Sequence, residues 1–287
     1  MAELMLGKPV VDAMTRDMVP RVQALSARGV QPTLAIVRMG ARPDDLSYER
    51  TAIRRAESLG IAVRPYVLDE RAPQEMVRAM IGSINCDRTV HGCLVFRPLP
   101  DALDEEELCD ALDPAKDVDG ITRVSLVSTF ADRDEGFPPC TPSAVIRMLD
   151  HYGVPIEGRR AVVVGRSLVV GKPVAMMLMR RNATVTLCHS RTRDLAQVTR
   201  EADIVVCATG QPRGFGAEYF RAGQVVLDVG INFDEAGTLC GDVAFDEVEP
   251  VVAAITPVPR GIGTVTTSET MEHVVCAAEA AAGTFLV

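Results

Sequence analysis

Apolar and polar positions alternate along the first half of this chain with two periodicities. Apolar residues at helical spacing over 10–25 precede the apolar run 33–39, which is typical of a buried strand. The pattern then predicts a helix over about 44–59, which ends at Gly60, and another over about 73–85. Strands separated by helices of this length predict parallel βαβ units with right-handed crossovers.

A second alternating series begins near residue 160. It contains five apolar runs, at 160–165, 183–190, 203–210, 224–232 and 253–259. Between the two series, the charged and proline-rich stretch 131–141 is expected to be a linker. The sequence therefore predicts an α/β fold with two domains.

Two short motifs predict where helices begin in the second half. Thr141 followed by Pro142 suits a helix start, because threonine caps exposed amides and proline tolerates the first helical position. Thr266-x-x-Glu269 has the form of a capping box, which would open a last helix over about 267–282.

Composition narrows the classes of function. The 287 residues are 47% hydrophobic, and no apolar run is long enough to predict a membrane-spanning helix. The N-terminus shows no secretory signal, and the eight cysteines form no C-x-x-C pair, so we expect reduced thiols, no metal site and a cytoplasmic location. A net charge of −9 without a basic tract argues against nucleic acid as a partner. These features favour a cytosolic α/β protein that is an enzyme.

The segment that starts at Gly165 has the chemistry of a dinucleotide-binding turn. An apolar strand leads into Gly165-Arg166-Ser167-x-x-x-Gly171, and a helical pattern follows. Serine replaces the second glycine of the usual motif, but glycine still permits a tight turn and the helix N-terminus still offers amides to a pyrophosphate. The alternative is a strand-to-helix turn whose glycines serve packing alone.

The end of the next strand indicates which dinucleotide is bound. An NAD site usually has a carboxylate there for the ribose 2′-hydroxyl, but residues 188–192 read Cys-His-Ser-Arg-Thr. The Ser190 hydroxyl and the guanidinium of Arg191, with that of Arg166, suit a 2′-phosphate instead. The sequence therefore favours NADP over NAD, although Arg191 taken alone could equally be a solvated loop residue.

Five motifs occur together in one order along the chain. They are Lys116-Asp117-Val118-Asp119-Gly120, Pro139-Cys140-Thr141-Pro142, Gly165-Arg166-Ser167-x-x-Val170-Gly171-x-Pro173, Asp228-Val229-Gly230-Ile231-Asn232 and Thr256-Pro257-Val258-Pro259. Each motif is a weak signal, but the ordered set is specific. With it, the chain resembles the methylenetetrahydrofolate dehydrogenase/cyclohydrolase family over nearly its whole length.

The resemblance implies both a fold and a reaction. The expected fold has an N-terminal catalytic α/β domain (1–138 plus 268–287), a C-terminal Rossmann domain (139–267) and a cleft between them. Family members oxidise 5,10-methylenetetrahydrofolate to the methenyl form, usually with NADP, and many then hydrolyse the product to 10-formyltetrahydrofolate. The resemblance also implies a homodimer whose small-molecule substrate is a folate, with no membrane partner.

The chain departs from the family pattern at the positions that carry hydrolysis. The family tyrosine is Tyr48, but the catalytic lysine expected four residues later is Ala52. The glutamine of the family's V-Q-L-P-L-P motif is Phe96, and the serine three residues before the tyrosine is Asp45. Arg55 shares the helix face of Tyr48 and Ala52, but arginine stays protonated, so we do not expect it to replace the lysine.

The remaining site residues are carried over by resemblance. The implied catalytic residues are Tyr48 and Asp119, and Asp119 would accept hydrogen bonds from the pterin. The implied substrate-binding residues are Tyr48, Phe96, Pro98, Leu99, Asp119, Pro259 and Gly261. The implied cofactor-binding residues are Gly165, Arg166, Ser167, Gly171, Pro173, Ser190, Arg191 and Ile231.

The two family reactions require different groups. Hydride transfer mainly requires positioning, because the cofactor carries the chemistry, whereas ring hydrolysis gains ~10²–10⁴-fold from a placed acid–base group. Ala52 and Phe96 offer no such group, so we expect a dehydrogenase with weak or absent cyclohydrolase activity. Three alternatives stay open: a bifunctional enzyme in which another residue replaces the lysine, a non-catalytic folate- or nucleotide-binding paralogue, and a changed substrate.

Overall fold

Residues 1–283 are described by a computed structural model and form two compact units. The N-terminal unit combines residues 13–140 with those from 267 onward, and the C-terminal unit combines residues 1–12 with 141–266. Both are α/β units, which confirms the predicted fold class.

The predicted domain boundaries stay a prediction, and they differ from the two compact units at the N-terminus. Residues 1–12 group with the C-terminal unit because β1 (Glu3–Leu4) pairs in parallel with β11 (Ala254–Ile255). The last four residues of the predicted catalytic domain, 284–287, lie outside the described residues.

The N-terminal unit is built on a three-stranded parallel sheet. Its strands are β2 (Thr33–Met39), β3 (Ala62–Leu68) and β4 (Gly92–Val95), in the order β3-β2-β4. The helices with residues in this unit are α1 (Gly7–Ala27), α2 (Pro43–Leu59), α3 (Gln74–Cys86), α4 (Glu105–Asp110), α5 (Arg123–Ala131) and part of α10 (Ile262–Ala281). The strand predicted at 33–39 and the two predicted helices are confirmed, and Gly60 ends α2 with a left-handed φ of 77°.

The sequence pattern missed helix α5. The Thr122 side chain caps this helix by accepting a hydrogen bond from the Ser125 amide. Val124, Val127 and Phe130 are exposed, so the helix lacks the buried apolar stripe by which an amphipathic helix is recognised. The predicted linker therefore begins after Ala131, where α5 ends.

The C-terminal unit is built on a six-stranded parallel sheet in the order β1-β11-β8-β7-β5-β6. The strands not yet named are β5 (Arg160–Val164), β6 (Thr184–Cys188), β7 (Ile204–Cys207) and β8 (Val225–Asp228), and a separate antiparallel pair comprises β9 (Asn232–Phe233) and β10 (Leu239–Cys240). Helices α6 (Cys140–His151), α7 (Gly171–Arg180), α8 (Leu195–Arg200) and α9 (Phe245–Val248) complete the chain. Strand order reverses between β5 and β7, so their carboxyl ends form the switch point at which open α/β sheets bind ligands.

Both predicted helix starts were wrong in position. Helix α6 begins at Cys140, one residue before the predicted cap. Helix α10 begins at Ile262 rather than near residue 267, and the Thr266 hydroxyl donates to the Ile262 carbonyl within the helix. Thr266 therefore acts as an interior residue that bonds back by one turn, not as the first member of a capping box.

No helix in the described range 1–283 is long and apolar enough to cross a membrane.

Candidate functional site

The Lys116–Gly120 loop of the N-terminal unit is fixed by its own side chains. The Lys116 ammonium donates to three backbone carbonyls at the C-terminal end of α3, at 2.6, 2.9 and 2.7 Å. The buried Asp117 carboxylate accepts from the backbone amides of residues 121 and 122, at 2.9 and 2.8 Å. Gly120 has a φ of 69°, and a Cβ there would overlap the Pro138–Pro139 backbone. Because the Asp117 carboxylate is occupied by backbone amides, Asp119 is the acidic side chain of this loop that can bind a ligand.

The surroundings of Asp119 raise its pKa towards neutrality. Burial raises the pKa of Asp119 to about 6, and the charge of Asp117 also raises it. The Arg97 guanidinium and a hydrogen bond from Cys140 act in the opposite direction and lower that pKa. The carboxylate therefore predominates at pH 7, as an acceptor of paired N–H donors must.

Tyr48, Ala52 and Phe96 lie together where α2 meets the end of β4. The rings of Tyr48 and Phe96 are 5.4 Å apart between centroids, with 50° between their planes. Ala52, one helical turn after Tyr48, is completely buried. The Tyr48 hydroxyl is hydrogen-bonded to Thr267 and Thr270, and burial raises its pKa. The lysine and glutamine positions of the family thus hold a methyl group and a phenyl ring that contacts the tyrosine.

A cluster that the sequence analysis did not assign, Cys140 with Thr270 and His273, contacts Asp119 through Cys140. Cys140 forms a side-chain hydrogen bond with Asp119, and its Sγ lies 3.3 Å from the Thr270 hydroxyl and 3.7 Å from His273 Nδ1. The sequence did contain a signal. Thr267, Thr270 and His273 recur at i, i+3 and i+6 in α10, a spacing that places their side chains on one face of the helix.

The Cys140–His273 pair does not form a nucleophile with its base. The His273 Nδ1 atom is 2.9 Å from the Val118 carbonyl oxygen, and a carbonyl can only accept, so Nδ1 carries the proton. The Cys140 thiol also donates to that carbonyl, at 3.1 Å. Burial raises the pKa of Cys140 well above its ordinary value, so this residue stays a neutral thiol.

The charged side chains near the lysine position are held by other partners. Arg55 donates to the Ser268 hydroxyl at 3.0 Å and to the Thr15 hydroxyl at 2.9 Å. Arg54 donates to the backbone carbonyl of Arg50 on the same helix. Asp45, at the family's serine position, forms a local ion pair with Arg42 (2.8 Å).

In the C-terminal unit, the loop that joins β5 to α7 requires glycine at two positions. Gly165 has a φ of 131°, and a Cβ there would overlap the Ala208 carbonyl oxygen after β7. A Cβ on Gly171 would overlap the Gly165 carbonyl oxygen. Ser167 folds the loop by accepting from the Val170 amide at 3.1 Å, and Pro173 is buried in the first turn of α7. This cradle lies at the switch point of the sheet and fits a dinucleotide pyrophosphate.

Ser190 and Arg191 lie on an exposed turn that follows the neighbouring strand β6. Strands β5 and β6 pair with Val164 opposite Cys188, so the glycine loop and this turn leave the sheet at the same edge. The His189 ring nitrogen accepts from the Arg191 amide at 3.1 Å and fixes the turn. The exposed Arg166 side chain lies on the glycine loop, and all three residues are accessible to a phosphate.

Three further predicted site residues differ in how far their side chains are exposed. Pro98 is exposed, whereas the Leu99 side chain belongs to the hydrophobic core of the N-terminal unit. Ile231 follows β8 and is 68% exposed. These three roles stay predictions.

Pro259 and Gly261 lie in the turn between β11 and α10. Pro259 is exposed and, with Arg260 and Asp228, lines a cavity of about 550 Å³ within the C-terminal unit. Gly261 is buried, and a Cβ there would overlap the Pro257 carbonyl oxygen. Arg260 has a φ of 82°, in the left-handed region that favours glycine, and nothing in the structure explains an arginine there.

Two buried aspartates organise the loops after β7 and β8. Asp242 accepts hydrogen bonds from the amides of Gly210 (3.2 Å) and Gln211 (3.0 Å) and from the Asn232 side chain (2.9 Å). Asp228 accepts from three backbone amides, and burial raises its pKa to about 7. Both side chains shape backbone at the switch point, and the sequence analysis gave neither a role. Within residues 1–283, no group of His, Cys, Asp and Glu side chains could hold a metal ion.

Comparison with known proteins assigns both halves of the chain. Residues 5–119 match the catalytic domain of tetrahydrofolate dehydrogenase/cyclohydrolase, and residues 139–282 match its NAD(P)-binding domain. The bifunctional protein FolD of Carboxydothermus hydrogenoformans is 50% identical over 281 residues, which cover 97% of this chain and 98% of that protein.

Solved structures give the same assignment. The bifunctional FolD of Campylobacter jejuni superposes with a TM-score of 0.95 at 35% identity and covers 98% of this chain and 99% of its own. The FolD of Trypanosoma brucei, solved with NADP cofactor and an inhibitor, superposes with a TM-score of 0.92 at 33% identity and covers 98% of each chain. This chain therefore belongs to the tetrahydrofolate dehydrogenase/cyclohydrolase family, and its C-terminal half is an NAD(P)-binding domain.

Proposed function

We propose that this protein oxidises 5,10-methylenetetrahydrofolate to 5,10-methenyltetrahydrofolate with NADP, and that its cyclohydrolase activity is weak or absent. The observation that carries the proposal is the pair of substitutions at Ala52 and Phe96. Ala52 is fully buried with no polar side-chain atom, and the Phe96 ring lies against Tyr48. A ring opening that needs proton transfers has no group at either position to supply them.

Substrate binding requires less of these positions. Asp119, with its carboxylate ionised at pH 7, accepts the paired N–H donors of the pterin. The exposed Tyr48 ring, with the buried Phe96 ring packed against it, offers an apolar surface to the flat folate, and Pro98 supports its edge. Hydride transfer gains mainly from orientation, so a neutral and apolar wall is compatible with it.

The glycine loop and the turn after β6 hold the dinucleotide. Gly165, Ser167 and Gly171 leave room for the pyrophosphate at the start of α7. Ser190 and Arg191, with Arg166, bind the 2′-phosphate through charge-assisted hydrogen bonds, which favours NADP. When bound, NADP supplies the acceptor for the hydride.

A two-stage absorbance assay tests the proposal. Purified protein is mixed with methylenetetrahydrofolate and either NADP or NAD, and reduced dinucleotide and methenyltetrahydrofolate are followed together. We expect faster turnover with NADP and accumulation of the methenyl product. Equal turnover with NAD would contradict the cofactor assignment, and hydrolysis of added methenyltetrahydrofolate as fast as its formation would contradict the monofunctional assignment. Absence of any oxidation would favour a non-catalytic paralogue or a changed substrate.

A second candidate is a bifunctional enzyme in which Asp119 replaces the lysine. The specific observation in its favour is the pKa of about 6, which lets this carboxyl group hold a proton near neutrality. The same assay separates the two candidates, because hydrolysis by Asp119 would rise as the pH falls towards 6 and would disappear in Asp119→Asn.

We also propose a cytoplasmic homodimer. The resemblance to the family supports the dimer, and the cysteine pattern supports a reducing compartment. Light scattering coupled to size-exclusion chromatography measures the assembly, and a monomer at micromolar concentration would contradict it.

A further inference from the structure

We propose that Thr270 is a positioning residue that joins the Tyr48 hydroxyl to the Asp119 carboxylate through Cys140. This inference rests on the proposed function, because it concerns how the same folate site is held in shape without the lysine. We call the four side chains of Tyr48, Thr270, Cys140 and Asp119 the Tyr48–Asp119 link.

The link is continuous, and its two inner members are buried. The Tyr48 hydroxyl is hydrogen-bonded to Thr270, the Thr270 hydroxyl lies 3.3 Å from Cys140 Sγ, and Cys140 is hydrogen-bonded to Asp119. Thr270 and Cys140 are each only 1% exposed, so water does not compete for these contacts. Four elements contribute: helix α2, helix α10, the start of helix α6 and the loop that carries Asp119.

The two inner members of the link are a hydroxyl and a thiol, each of which can donate and accept a hydrogen bond. The Thr270 hydroxyl donates to the Cys140 sulfur at 3.3 Å and is also hydrogen-bonded to the Tyr48 hydroxyl. The Cys140 thiol also has one proton, and its acceptors are the Val118 carbonyl and the Asp119 carboxylate. The Val118 carbonyl oxygen has two lone pairs, so it can also accept from the protonated Nδ1 of His273, at 2.9 Å.

The link orients both substrate-binding groups with neutral side chains. Thr270 and Cys140 carry no charge, so they hold Tyr48 and Asp119 without offering a group that could act as acid or base at neutral pH. Phe137 stacks on the His273 ring, with 4.8 Å between the ring centroids. A residue on α10 thus supplies orientation that does not depend on the position of Ala52.

Substitution of the Thr270 hydroxyl tests the inference. Thr270→Val keeps the shape of the side chain but removes the hydroxyl that contacts Tyr48 and Cys140, and we expect KM for methylenetetrahydrofolate to rise about tenfold, as the loss of neutral hydrogen bonds allows. The KM for NADP should not change, and Thr270→Ser should restore the folate KM. Thr51→Val is the matched control, because the Thr51 hydroxyl bonds only to the Ser47 carbonyl on the exposed face of α2.

A double-mutant cycle separates positioning from general packing. If Thr270 acts through Tyr48, then Thr270→Val should raise the folate KM much less in the Tyr48→Phe background than in the wild type. Equal effects in both backgrounds would overturn the connection to Tyr48. A Thr270→Val protein with the same folate KM as Thr51→Val would overturn the inference as a whole.

Direct binding of tetrahydrofolate, measured by calorimetry, distinguishes this inference from the proposed function. A wild type that binds tetrahydrofolate without oxidising the methylene form would defeat the proposed function alone, and Thr270→Val should still weaken binding about tenfold. A wild type that oxidises the substrate, with unchanged binding in Thr270→Val, would defeat the positioning role alone. A wild type that binds no tetrahydrofolate would defeat both.

Discussion

The two candidate sites of this chain are built from different chemical groups. The cofactor loop of the C-terminal unit depends on backbone: Gly165 and Gly171 matter because a Cβ would overlap neighbouring carbonyl oxygens. The proposed folate site of the N-terminal unit depends on side chains, since Tyr48, Phe96 and Asp119 would define it and Ala52 would change its chemistry. A site built from backbone exists only if the chain can adopt the required conformation. A site built from side chains can keep its fold while substitutions change the reaction that it supports.

The sharpest test of this difference is to restore the missing side chains. The double change Ala52→Lys with Phe96→Gln should introduce methenyltetrahydrofolate hydrolysis, by ~10²–10⁴-fold, because it supplies an acid–base group and the amide that orients it. Ala52→Lys alone should do little, since the buried ammonium would lie beside a phenyl ring. Strong hydrolysis in this single variant would show that Phe96 has no part in the loss.

The backbone site should respond to the smallest possible side chain. In Gly171→Ala the methyl group overlaps the Gly165 carbonyl oxygen, so the loop must shift, and a shift of about 1 Å can cost ~10²-fold in NADP binding. Tetrahydrofolate binding should be retained. The matched control is Gly82→Ala, where an added Cβ has nothing within 4 Å. Loss of NADP binding in the control as well would point to general destabilisation.

The turn after β6 should distinguish the two dinucleotides. Arg191→Ala removes a charge-assisted contact to the 2′-phosphate and should weaken NADP roughly 10–100-fold while leaving NAD unchanged. Arg159→Ala, an exposed arginine at the opposite end of the same sheet, is the control. Competition binding measures both affinities, and a similar loss for NAD and NADP would argue against a role for Arg191 in the choice between them.

Folate affinity should depend on pH through Asp119. Because the pKa is about 6, the carboxylate fraction falls about tenfold between pH 7 and pH 5, and tetrahydrofolate binding should weaken with it. Stability has the opposite sign. The folded-state pKa lies above the ordinary value of 3.8, so the contribution of Asp119 to the free energy of unfolding decreases as the pH rises from about 4 to about 6. Asp119→Asn should flatten both profiles, and an unchanged binding profile in this variant would contradict the assignment.

The sequence predicted those parts of the molecule that depend on neighbouring residues. The buried strand at 33–39, the end of α2 at Gly60 and the glycine loop after β5 follow from apolar runs and from positions that a Cβ cannot occupy. The start of α10 was wrong because Thr266-x-x-Glu269 has the composition of a cap, whereas the helix had already begun at Ile262.

The contacts of the folate site could not be predicted in the same way. Thr270 and Cys140 are 130 positions apart, and only the packing of α10 brings their side chains together. The spacing of Thr267, Thr270 and His273 was visible in the sequence. It does not indicate which residues of other elements this face of α10 contacts. The substitutions at Ala52 and Phe96 were visible because a family pattern supplied the expected residue.

The hydrogen bonds of the Lys116 ammonium bear on how a function is assigned to proteins that contain the Lys116–Gly120 motif. Four of the five residues in Lys116–Gly120 shape the loop: one caps a helix, one binds amides, one offers a carbonyl and one permits a close approach. A chain that retains this motif has therefore retained an architecture, and the motif alone says little about hydrolysis. A motif that mainly shapes a loop is therefore weak evidence for two activities. The residue at position 52 is more informative about hydrolysis.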